Sequence, residues 1–171
     1  VTKEFTKEGS KMSQISQKQW QNKHPQSCRT WIPERSVVLV IEPHAMWRIF
    51  LKAVLNLYQY QVVTAATEQE AEALKQEVAP VDLGLVIADI HLSDELQARA
   101  GVRLFERWTA TAPTLPFLLM SDHADDANLP VVRAGTVSFL AKPVIRGEVL
   151  EAVAMHLAKA HPTNNSRSHR P

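Results

Sequence analysis

At 171 residues and 45% hydrophobic composition, the chain has the size of one domain with extensions and enough apolar material for a proper core. Its single cysteine, Cys28, excludes an internal disulfide and any CxxC metal or redox site, and no apolar run approaches the ~18 residues of a membrane span. The net charge of +1 conceals an acidic body between two basic arms: residues 1–35 carry seven Lys/Arg against three Glu (net +4), residues 36–155 carry nine against fifteen Asp/Glu (net −6), and residues 156–171 carry three Lys/Arg (net +3).

Residues 1–35 are rich in Lys, Gln and Ser and show no sustained period, so they are expected to be a disordered basic extension. A short helix over 11–20 is the one local element they suggest. His24 and Cys28 lie four apart, too few ligands for a metal site. The arms suit an acidic partner, a membrane surface or nucleic acid, or are simply solvated tails. No nucleic acid is expected for the acidic body. The N-terminal stretch lacks the apolar core of a signal peptide, and together with the lone cysteine this reads as a soluble cytoplasmic protein.

The globular part is expected over 36–160. Val37 to Ile41 is a β-branched strand that ends at Glu42 and Pro43. From His44 to Tyr58, Met46, Trp47, Phe50, Leu51, Val54, Leu55 and Tyr58 recur with helical period. A second strand, Tyr60 to Ala65, follows. Thr67 and Glu70 form a capping box that opens a helix through Ala71, Leu74 and Val78, stopped by Pro80. Leu83 to Ala88 is a third strand, an apolar run that ends abruptly on Asp89. A polar loop with a helical turn or two leads from His91 to a helix over 101–110. Pro113 and Pro116 confine the fourth strand to Phe117–Met120, with Ser121, Asp122 and His123 at its end. A short helix over 125–133 precedes Gly135. The fifth strand, Val137–Leu140, runs into Lys142-Pro143, and a last helix spans 146–160. The tail over 161–171 is polar and expected to be flexible.

Strands alternating with helices predict an α/β fold, a doubly wound (βα)5 parallel sheet. The flavodoxin-like strand order 2-1-3-4-5 is the natural choice, with ligands at the carboxyl edge. Taken alone, Asp89 is as well explained by turning the chain as by chemistry. Four polar residues at four strand ends are a stronger signal. Glu42, Asp89, Ser121 and Lys142 would converge on one rim, as two carboxylates, a hydroxyl and an ammonium. Hard oxygens suit Mg2+. A carboxylate can become an acyl phosphate, and a lysine and a hydroxyl can hold the incoming phosphoryl oxygens.

With these residues in view, the stretch 37–157 resembles the receiver domain of two-component response regulators. Val38 to Glu42 is similar to the family's first strand and its acidic position, and Leu85 to Asp89 to the strand bearing the phosphoacceptor aspartate. Met120-Ser121 is similar to the hydrophobic–Thr/Ser switch pair. Gly135 through Phe139-Leu140-Ala141-Lys142-Pro143 matches the Gly-x6-Lys-Pro motif, with its aromatic three residues before the lysine. The resemblance implies that Asp89 accepts phosphate from a histidine kinase or histidine phosphotransfer protein, and that Lys142 pairs with the phosphoryl group. It implies that Ser121 moves to hydrogen-bond that group and Phe139 turns inward. Glu42, Asp89 and the backbone carbonyl of His91 would ligate Mg2+. The output would be a changed surface read by a downstream protein target, by shift of population rather than by new fold. A homodimer is compatible with this, and the only enzyme-like steps implied are self-catalysed phosphotransfer and autodephosphorylation.

Pro43 departs from the pattern. The family usually places there a second acidic residue that is a principal metal ligand, whereas proline offers neither carboxylate nor N–H. Metal affinity is expected to fall, and phosphorylation with it. Ser93 replaces the usual proline, the loop from Asp89 to Gly101 is longer, and the segment from Ser121 to Lys142 is shorter, so the fourth helix is expected to be reduced or irregular. The alternative is a pseudo-receiver, a phosphorylation-independent interaction module with the same fold. A third possibility is that His44, His91 and His123, all in loops at the same rim, bind Zn2+. The sequence Glu-Pro-His-Ala-Met-Trp after the first strand is unlike an FMN phosphate loop, and GxxxxGK[ST], GxGxxG and GxSxG do not occur. A DNA-binding output domain would need more chain than the C-terminal tail supplies, so the sequence reads as a stand-alone receiver, or one excised from something larger.

Overall fold

The computed structural model describes residues 36–78, 83–93, 99–135 and 137–160. The expectations for the basic arms at 1–35 and 161–171, and for most of the loop after His91, fall outside them. Five strands, β1 (Val37–Ile41), β2 (Gln61–Ala65), β3 (Leu83–Asp89), β4 (Phe117–Ser121) and β5 (Ser138–Ala141), form one parallel sheet in the order β2-β1-β3-β4-β5. Helices α1 (Ala45–Leu57), α2 (Glu68–Glu77), α3 (Ala100–Thr111), α4 (Pro130–Arg133) and α5 (Arg146–Ala160) connect or follow them. This is the flavodoxin-like α/β arrangement expected from the alternating pattern.

The central strands are buried on both faces, which is why they read as continuous apolar runs. Leu39, Ile41, Val86, Ala88, Phe117 and Leu119 join the core formed with α2 and α3, where Leu104, Phe105 and Trp108 are buried. The alternate residues Val38, Val40, Leu85, Ile87, Leu118 and Met120 are equally buried, toward the face carrying α1 and α5. There Leu51, Val54 and Leu55 of α1 and Val149, Leu150, Val153 and Leu157 of α5 are buried. Each such side chain contributes about 1.5–3 kcal/mol when fully buried. Met46, counted in the α1 stripe, is 75% exposed. At 100° per residue it lies roughly 90° from the centre of that stripe, at its margin.

The predicted helix start at Thr67 is present, with a shifted return bond. Thr67 Oγ1 accepts from Glu70 N at 3.2 Å, while Glu70 Oε2 accepts from Ala66 N at 2.7 Å rather than from Thr67 N. Thr67→Ala is expected to cost about 1 kcal/mol, measured by urea unfolding. The fourth helical segment is broken, as its shortened sequence suggested. A 3-10 turn (Ala124–Asn128) ends at Leu129, whose extended backbone (φ −56°, ψ 140°) is what a residue before proline adopts, and α4 restarts on Pro130. Gly135 follows at φ 69°, a left-handed conformation that glycine adopts without strain.

The start of α3 fixes the end of β3. Arg99 enters it in a left-handed conformation (φ 43°, ψ 49°) with no side-chain cap, and Gly101 N donates instead to Ile90 O at 3.0 Å. The buried Gly101 therefore lies directly against the backbone of Asp89 and Ile90. A Cβ built there would overlap Asp89 O and lie 2.9 Å from Asp89 C and 3.0 Å from Ile90 Cα.

Candidate functional site

Parallel strands place their carboxyl ends at one edge, and the polar residues of the site occupy that edge. Asp89 closes β3 opposite Met120, and Ser121 closes β4 opposite Ala141. Glu42 follows β1 and is tied to β2 through its N–H to Ala65 O at 3.0 Å. Lys142 follows β5, and its N–H donates to Ser121 O at 2.7 Å. All four sequence-predicted side chains are thus brought to one rim. Glu42, Asp89 and Ser121 are buried, and the Lys142 side chain is 4% exposed.

Lys142 Nζ donates to Glu42 Oε2 at 2.6 Å and to Asp89 Oδ2. The remaining carboxylate oxygens accept main-chain donors two residues on. His44 N donates to Glu42 Oε1 at 3.0 Å, and His91 N to Asp89 Oδ1 at 2.7 Å. Each carboxylate therefore both turns its own chain and contributes to a shared charged cluster. Burial raises the Glu42 carboxyl above its usual value, and repulsion from Asp89 adds to this against the lowering by Lys142 and the His44 N–H. For Lys142, burial alone would lower the ammonium, but its hydrogen bonds and attraction to Asp89 and Glu42 outweigh that and leave it raised.

Two residues that sequence reasoning missed complete the surroundings. Arg48, on α1, donates from Nη1 to Glu42 O at 2.7 Å and to Pro43 O at 2.5 Å. Pro43 thus contributes a carbonyl to the turn. Asp126, in the 3-10 turn, is 2% exposed. Its Oδ2 accepts from Ser121 Oγ at 2.6 Å and lies 2.7 Å from His91 Nε2. Ser121 Oγ also accepts from His123 N at 3.0 Å. The predicted switch hydroxyl is therefore held by a carboxylate other than Asp89. Phe139 on β5 is partly buried and packs on the core beneath α3. Of the three rim histidines, His91 and His123 meet with ring centroids 4.6 Å apart, while His44 is exposed and is not among the residues grouped with them.

The donor set fits a hard cation such as Mg2+. Glu42 and Asp89 supply two carboxylates sharing one counter-ion. Mg2+ commonly uses one or two carboxylates with waters and phosphate oxygens, and two carboxylates are present here although Pro43 supplies none.

A family model described as response regulator receiver domain matches residues 38–154. Among solved structures, the chain is similar to a response regulator receiver domain protein from Clostridium thermocellum, at 19% identity and TM-score 0.63, covering 72% of this chain and 95% of that one. It is similar to a CheY-like receiver domain protein from Methanospirillum hungatei JF-1, at 22% identity and TM-score 0.62, covering 73% and 95%. It also resembles the signal receiver domain of an HD domain-containing protein from Pseudomonas fluorescens Pf-5, at 22% identity and TM-score 0.64, covering 74% and 98%. No curated protein sequence matches.

Proposed function

The chain belongs to the family of response regulator receiver domains, and on that premise we infer that it accepts a phosphoryl group on Asp89 and signals through protein–protein contact. The donor is a phosphohistidine on a histidine kinase or phosphotransfer protein. The phosphorus–nitrogen bond breaks as a bond forms between phosphorus and an Asp89 oxygen, leaving the donor imidazole free. Lys142, already on Asp89 and Glu42, carries the charge that pairs with the phosphoryl oxygens. Ser121 exchanges Asp126 for the phosphoryl group, and Phe139 shifts with it, altering the β4–β5 surface that a downstream protein reads. Glu42, Asp89 and the His91 carbonyl would hold Mg2+, which would supply charge neutralisation of the phosphoryl oxygens. A helix long and apolar enough to cross a membrane is absent among the described residues.

The observation that carries this reading is the buried Lys142 ammonium bonded at once to Asp89 and Glu42 at the carboxyl edge. Intact mass after incubation with acetyl phosphate and Mg2+ tests it. Wild type is expected to gain one phosphoryl group and Asp89→Asn none. Pro43→Asp, which restores a carboxylate beside Glu42, is expected to raise the rate and lower the Mg2+ requirement. A second reading is favoured by the same pocket. Pro43 removes a ligand, and Asp126 already occupies Ser121, as befits a pseudo-receiver that docks partners unmodified. A folded wild-type sample that gains no mass even at high Mg2+ supports that alternative over phosphoacceptance.

A further inference from the structure

The geometry points to a second cation site beside the acidic pocket, in which His91, His123 and Asp126 take a divalent transition-metal ion of the zinc class. The three residues come from three segments: the turn after β3, the turn after β4, and the 3-10 turn that precedes α4. One ligand atom of each lies within 4.8 Å of the other two. The imidazoles are tilted at 51° with centroids 4.6 Å apart. Two imidazoles and a carboxylate are the donors such ions prefer, whereas Mg2+ disfavours imidazole, so this site differs chemically from the Glu42–Asp89 pocket.

The hydrogen bonding around His123 supports ligation. Binding through His91 Nε2 would leave the imidazole proton on Nδ1, which is buried without a hydrogen-bond partner among the described residues, a cost that ligation must offset. His91 Nε2 faces the Asp126 carboxylate at 2.7 Å, a separation that holds a shared proton. His123 Nδ1 lies 2.7 Å from Asp122 Oδ1, which directs the other ring nitrogen, Nε2, to serve as the ligand. A carboxylate behind a histidine in this way recurs in metal centres, where it fixes the tautomer and raises ligand basicity. Metal–ligand bonds of about 2.0–2.2 Å in a tetrahedral site place ligand atoms roughly 3.3–3.5 Å apart. The cation would therefore replace the proton between His91 and Asp126 and part them slightly. The His123 ring is half-exposed. Three protein ligands leave a fourth position for water. Arg99 Nε, 3.6 Å from Asp126 Oδ1, opposes the incoming charge and moderates affinity.

The site shares Asp126 with Ser121, so a bound ion competes with the hydroxyl for that carboxylate. The inference itself needs no phosphorylation, and its test uses the unmodified full chain. Zn2+ titrated calorimetrically in excess Mg2+ is expected to bind at one equivalent with micromolar or tighter affinity. Co2+ in its place should give the intense visible bands of a tetrahedral nitrogen–oxygen site. His123→Ala and Asp126→Asn should each weaken binding at least tenfold, and Arg99→Gln should tighten it. His44→Ala should leave it unchanged. His123 is exposed, so its variant keeps the test valid even if Asp126→Asn unfolds, which far-UV circular dichroism reports. No binding by wild type, unaltered binding by His123→Ala, or loss with His44→Ala overturns the assignment.

Discussion

Lys142→Met is expected to destabilise the fold by about 3–5 kcal/mol at neutral pH, the cost of removing one partner from a buried ionic cluster. The substitution keeps most of the side-chain volume and deletes the ammonium that Glu42 and Asp89 share. Two buried carboxylates then face each other with only the His44 and His91 N–H groups to compensate. The deficit should depend on pH in a definite direction. Burial already raises the folded-state Glu42 carboxyl above its usual value of 4.5, and losing Lys142 raises it further. A carboxyl raised on folding contributes stability that is fully present below its unfolded value and lost as pH rises through its folded one. The gap between variant and wild type should therefore be small near pH 4.5 and widen toward neutrality. The lysine has the opposite dependence on charge but a remote window. Its raised value means that its contribution persists up to the usual lysine value of 10.5 and is lost only as pH climbs through the higher folded one. Urea unfolding of both proteins from acid to neutral pH measures the effect, and a pH-independent difference would count against a charge origin.

Gly101→Ala is expected to cost on the order of 3 kcal/mol and to abolish phosphoryl acceptance in whatever fraction remains folded. The added methyl meets the backbone of Asp89 and Ile90, not the yielding end of a side chain. Relief requires α3 to withdraw from β3, which breaks the bond from Gly101 N to Ile90 O and moves Asp89 itself. Gly147→Ala makes the contrast. It lies in α5 with open space at its Cβ position, so the same substitution there is expected to be neutral or stabilising by up to about 1 kcal/mol. Thermal unfolding of the pair separates steric cost from the generic effect of adding a methyl group. Equal behaviour of the two variants would mean that α3 does not seat against β3 as closely as described.

The parts of the molecule that the sequence announced are those where one physical demand dominates. β3 had to be apolar on both faces and had to stop, so Leu83 to Asp89 was visible as a run ending in a carboxylate. Glu42, Ser121 and Lys142 were legible for the same reason, as polar residues at strand ends of a parallel sheet. Pro130 marked the break in the fourth helical segment, although a single helix over 125–133 was expected there. Asp126 was not legible. Its neighbours Asp122 and Asp125 are exposed, and nothing in an acidic turn distinguishes the carboxylate that tucks under Ser121. Arg48 was hidden among polar helix residues because it acts on main-chain carbonyls, which carry no sequence signature. Gly101 read as an ordinary helix start, since closeness of two backbones is a tertiary fact.

The cluster at the rim also has a bearing on how the chain reaches its fold. Lys142 stands 53 residues after Asp89 and 100 after Glu42, so the acidic pair stays uncompensated until the last strand has docked. Closing so long a loop costs entropy before any attraction is gained. β1 and β3 can pair early through their apolar residues, but their polar ends have reason to remain hydrated until β5 arrives. Docking of the fifth strand is what brings the ammonium to the two carboxylates. Lys142 is thus the latch by which the C-terminal part of the domain is joined to its beginning.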